Sequence, residues 1–163
     1  MRNVTTLLIL LVALLTAACS PIAPGLTPLP ETPAATNVGV VIALAEGESS
    51  TFLVGVNADA SALDALLATG EEVAVLETDF GPAICAIMGV GQPAEDCFGD
   101  AEGRYWAFFT LGAAGEWEAA QVGAGGYPVS AGEVLGFSWT ASDADFNPLM
   151  LPPVITFDEI AGE

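Results

Sequence analysis

The stretch Arg104–Leu111, "RYWAFFTL", decides how this chain is read. Side chains alternate across a strand, so Trp106 and Phe108 fall on one face and Tyr105, Ala107 and Phe109 on the other. Both faces are then apolar, which marks a strand interior to a fold rather than an open platform. On that reading Phe108 and Phe109 are both buried, one on each face. Tyr and Trp rings carry polar atoms that need partners, and they are common where a ring meets water. Tyr105, Trp106, Trp117, Tyr127 and Trp139 are therefore the candidate ligand-binding residues. Two or three of the five are expected to be exposed, with partial exposure of at least one of Trp106 and Trp139. The sequence leaves open whether these rings line a site or the core. Arg104 is the only basic residue after position 2. An ion pair with a nearby Asp or Glu accounts for it, and a clamp for a carboxylate or phosphate ligand is the alternative.

Outward from this strand the pattern is mostly β. "VGVVIALAEG" (Val38–Gly47) and "TFLVGVN" (Thr51–Asn57) are β-rich runs joined by a glycine-containing turn, a hairpin signal. "SALDALLATG" follows, with Ser61 and Asp64 at capping-box spacing, leucines at helical spacing and Gly70 in the C-cap region. This predicts one short helix of about nine residues. "EEVAVLET" and "AICAIMGV" read as strands, "RYWAFFTL" and "EWEAAQV" flank a "GAAG" turn, and "GEVLGFSWT" is the last strong strand. In "PPVITFDEI", Thr156 and Glu159 repeat the capping-box spacing, which allows a single helical turn.

A hairpin, one helix and then more strands is the order of a β-grasp. The expected class is α+β, a mostly antiparallel sheet with one short helix after the first hairpin. The segments "LDALLATG", "ICAIMGVG", "RYWAFFT", "VGAGGYPVSAGEVLGFSW" and "PPVITFDEI" resemble, in order, the transcobalamin C-terminal-like domains, which belong with the soluble ligand-binding β-grasp modules. The resemblance implies a small binding or interaction module. In the cobalamin carriers the domain caps a corrin while a helical barrel completes the site. No segment here corresponds to that barrel, so a cobalamin-type ligand is the lesser expectation.

The chain opens "MRNVTTLLILLVALLTAACS". One Arg, a short apolar run and small residues are the order of a secretory signal. "LTAAC" resembles a bacterial lipobox with Cys19 as the acylated residue, although Thr16 stands where Leu is usual. Ordinary cleavage after Ala18 and secretion is the alternative. Residues 1–18 are thus expected to be a lipoprotein signal peptide and 19–37, with five prolines, an extended tether. Residues 38–163 are expected to form the β-grasp domain. The protein is expected in the bacterial cell envelope, exported, anchored by a palmitate-type acyl group to a membrane and facing outward.

The chain has three cysteines. If Cys19 carries lipid, Cys85 and Cys97 are left to pair, and the glycines and proline between them favour a turn that brings them together. Two buried free thiols are the alternative.

Two basic residues stand against 21 acidic ones, for a net charge of −19. Such a surface repels nucleic acid and anionic headgroups, so the bilayer would be met through Cys19 alone. It favours a soluble monomer. The chain has no His, which excludes His-based triads and His metal sites. Asp143, Asp145 and Asn147 alternate like an EF-hand opening. Pro148 and Val154 then occupy the positions that need Gly and Glu, so no metal site and no cofactor is expected. An acid-pair hydrolase, for instance using Glu116 and Glu118, is the enzymatic alternative. The leading expectation is a non-catalytic module for a small ligand or envelope partner. A structural or adhesion protein that binds other proteins is second.

Overall fold

The computed structural model describes residues 35–162. Cys19, the signal and most of the tether lie outside the described residues. β1 (Thr36–Ala45) and β2 (Glu48–Val56) form the first hairpin, turning at Glu46 and Gly47. β1 starts two residues ahead of Val38, where the sequence reading places the domain boundary. The helix α1 (Ala62–Leu67) carries both halves of its capping box: Asp64 N–H donates to the Ser61 hydroxyl, and Ser61 N–H donates to the Asp64 carboxylate at 2.8 Å. It has six residues, fewer than the nine expected, because the Thr69 hydroxyl donates to the Leu66 carbonyl and turns the chain away.

β3 (Val73–Thr78), β4 (Gly81–Ile87) and β5 (Val90–Gly91) make a small antiparallel sheet. "AICAIMGV", expected as one strand, is instead a hairpin. Met88 and Gly89 both take positive φ, at 53° and 76°, and fold β5 back on β4. Two consecutive residues of that kind are what a two-residue hairpin turn demands. β6 (Tyr105–Leu111), β7 (Trp117–Ala119) and β8 (Val134–Thr140) complete a five-stranded sheet in the order β2-β1-β8-β6-β7. β1 and β8 pair in parallel at its centre and its other neighbours are antiparallel. The fold is thus α+β and mostly antiparallel, with α1 and a second short helix, α2 (Phe157–Ala161), formed at the Thr156–Glu159 capping box.

The main sheet is apolar on both faces, as "RYWAFFTL" implies. On one face Val38, Val40, Ile42, Leu135 and Phe137 are fully buried with Ala62, Ala65 and Leu66 of α1. The other face is covered by Trp117 and the C-terminal segment. A methyl group on Gly136 would lie 2.7 Å from the Trp117 ring and 2.9 Å from Pro152, so only Gly admits that cover. Every residue of β8 is buried in consequence.

Candidate functional site

The register of β6 on β8 sets Trp106 opposite Trp139 and Phe108 opposite Phe137. Directly opposed side chains on one face are within contact distance. The two indoles lie 5.8 Å apart and tilted by 44°, and Phe108 stacks on Phe137 at 5.3 Å. Beyond these rings the small sheet stands away from the large one. A cleft of about 480 Å³ is lined by Trp106, Phe108 and Trp139 of the large sheet, Pro82–Ile84 of the small one and residues 119–124. That volume is within the range of small-ligand sites, ~300–1,000 Å³.

The cleft gathers Tyr105, Trp106 and Trp139 from the five candidate aromatics. Tyr105 is exposed, and its phenol accepts a hydrogen bond from the Ser142 hydroxyl at 3.1 Å. Trp106 and Trp139 form the floor and are only 8% and 9% exposed, against the expectation that one of them would stand partly free. The Trp106 indole N–H donates to the Val90 carbonyl at 3.1 Å, tying the floor to the small sheet. That tie needs Gly91, where any side chain would strike the Cys85 carbonyl. Phe108 is half-buried rather than buried, because the cleft opens on its face of the strand, whereas Phe109 is buried.

Trp117 and Tyr127 are not in the cleft. Trp117 pairs opposite Leu111, which puts it on the other face of the sheet, over Gly136 and edge-on to Phe109 at 6.4 Å. Its indole nitrogen and the Ser138 hydroxyl are buried without a hydrogen-bond partner among the described residues. Tyr127 meets Phe108 edge-on at 5.4 Å and donates its phenol to Glu133. That bond, together with burial, pushes its pKa up to about 12.

Two lining residues escaped sequence reasoning. Phe98 and Phe146 reach the cleft from loops and are 76% and 86% exposed. The only signal was a single Phe set among small and acidic residues, in "DCFGD" and "DADFN". Phe146 has φ 64°, a left-handed conformation unfavourable for a bulky side chain. Asp143 holds it there by accepting the N–H groups of Asp145 and Asn147 at 2.9 and 2.8 Å. The "DADFN" segment therefore works as a hydrogen-bonded turn. Phe98 follows a 3-10 turn at Ala94–Asp96, which the Cys85–Cys97 disulfide staples to β4. Among the described residues no three His, Cys, Asp or Glu side chains converge as a metal site would require.

Arg104 is engaged as an ion pair. Its Nε and Nη2 donate to Asp100 at 3.2 and 3.0 Å, and Nη2 also donates to Glu102 at 2.9 Å. The guanidinium lies 5.7 Å from the centre of the Trp139 ring. It holds the Asp100 carboxyl at about 2, below its ordinary 3.8. A depressed carboxyl pKa contributes stability that is present above the unfolded value and is lost as pH falls through the folded one. We therefore expect Asp100→Asn to cost stability at neutral pH and the gap from wild type to close between about pH 4 and 2. Urea midpoints measured across that range check this, and a constant gap would contradict it.

No protein-family model and no curated protein matches the chain. Among solved structures it is similar to a proposed metal-binding protein from Ruminococcus gnavus, at 18% identity and TM-score 0.49, over 66% of this chain and 99% of that one. It is also similar to haptocorrin in complex with Cbi, at 22% identity and TM-score 0.51, over 68% of this chain and 26% of that one. The chain thus spans about a quarter of haptocorrin's length, and what the likeness establishes is a distant relationship of fold.

Proposed function

We propose that this domain is a non-catalytic binding module that takes a small ligand in the cleft between its two sheets, and that a lipid on Cys19 presents it at the cell surface. The observation that carries the binding reading is the cleft itself: a rigid floor of Trp106 and Trp139 with Phe98 and Phe146 free at its lips. Buried Phe side chains would have served the core equally well. Phe98 and Phe146 line the same opening, and apolar side chains gathered at one concave place mark a binding surface. One similar structure, haptocorrin, is in complex with Cbi. No carboxylate is among the residues that line the cleft, which favours binding over acid-pair chemistry there.

Titration with N-phenyl-1-naphthylamine, a neutral dye that brightens in apolar sites, tests this. One dye per protein is expected. Phe98→Ala and Phe146→Asn should each weaken it about fivefold, the worth of one aromatic contact of ~1 kcal/mol. Asn tolerates the left-handed backbone, so Phe146→Asn should not lower the melting temperature. Wild-type affinity in both variants would refute the site. The lipid reading rests on "LTAAC" and on the pairing of Cys85 with Cys97, which leaves Cys19 as the odd thiol. Intact mass of the membrane fraction should show a diacyl or triacyl Cys19, and an unmodified N-terminus released to the medium would oppose it.

A further inference from the structure

We infer that the cleft selects an organic cation of diffuse charge, such as a quaternary ammonium group, over a neutral ligand of the same shape. The inference rests on the binding reading above and adds the class of ligand. Three observations converge on it. The lining includes six aromatic residues and Gln121 but no charged side chain, so it offers neither a carboxylate to a metal ion nor a clamp to an anion. Electron-rich ring faces attract weakly hydrated cations, Trp most strongly, and the floor is two Trp rings. The Arg104 guanidinium, 5.7 Å from the centre of Trp139, is paired with Asp100 and Glu102, which offset its repulsion of a second cation. Finally, the lips are acidic. Phe98 stands between Asp96 and Asp100, and Phe146 follows Asp143 and Asp145. Asp100 is committed to Arg104 and Asp143 to its own loop, whereas Asp96 and Asp145 are exposed. With 21 acidic residues against 2 basic ones in the chain, the field at the mouth draws cations inward.

The test sets choline against 3,3-dimethylbutan-1-ol, which has the same shape with carbon in place of the charged nitrogen. Each competes with the bound naphthylamine dye. Choline should displace it at about tenfold lower concentration, within the usual strength of a cation–ring contact. In Asp96→Asn/Asp145→Asn, and in ~1 M salt, that advantage should shrink. Dye affinity itself should not change in the double variant. Equal displacement by the two probes overturns the ligand class and leaves the cleft as a site for neutral molecules. Failure of both probes to displace a dye that does bind overturns it equally. Failure of the dye to bind at all removes the underlying site as well.

Discussion

Phe109→Ala should destabilise the domain by about 3–5 kcal/mol, the range for deleting a buried ring and leaving its cavity. Phe109 is 1% exposed and sits on the face of the sheet that Trp117 and Pro152 cover. Its cross-strand neighbours are Gly136 and Ala119, which are too small to collapse into the space. Domains of this size are stable by only ~5–15 kcal/mol in total, so melting should fall by more than about 10 °C. Phe108→Ala gives the contrast. That ring is half-buried and lies against the cleft, so its loss should cost less stability and weaken dye binding more. Calorimetry on the two variants with dye titrations decides the matter. An unchanged melting point for Phe109→Ala would mean that the second face of the sheet is not packed as described.

Removing the Cys85–Cys97 bridge should be nearly as costly, and its effect should reach the cleft. The bridge spans 12 positions, for which the chain-entropy account gives about 3 kcal/mol. It anchors the turn whose next residue is Phe98, and Cys97 itself lines the cleft. A Cys85→Ala/Cys97→Ala variant should therefore melt lower and also lose dye affinity at temperatures where it is still folded. If stability falls and affinity does not, Phe98 is held by something other than the staple. Alkylation of denatured, unreduced protein should find neither of these two thiols free.

What could be read from the sequence is what local chemistry dictates. Ser61 with Asp64, and Thr156 with Glu159, each named a helix start because a cap is a contact between near neighbours. Alternation in "RYWAFFTL" assigned Phe108 and Phe109 to opposite faces for the same reason. A turn between Cys85 and Cys97 was legible from its glycines, but its start at Met88 was not, because Met gives no sign of positive φ. The site was legible only in part. Trp106 and Trp139 are 33 positions apart, and only the register of β6 on β8 makes them one floor. Trp117 looked equivalent to them, yet its pairing with Leu111 turned it to the far face. Phe98 and Phe146 carry no local pattern, since their exposure is a property of the loops that hold them.

The parallel pairing of β1 with β8 has a kinetic consequence. Gly39 lies beside Val134, so the central seam of the main sheet joins segments separated by most of the domain. Loop-closure entropy must be overcome before those contacts return anything, and folds built on such distant pairings form slowly. The β1–β2 hairpin and α1 can form early, but no shorter piece of chain can close the core, because β1 has no inner neighbour until β8 arrives. A growing chain would therefore carry Val38, Val40 and Ile42 only partly covered until β8 was made, and folding would commit in a single late step.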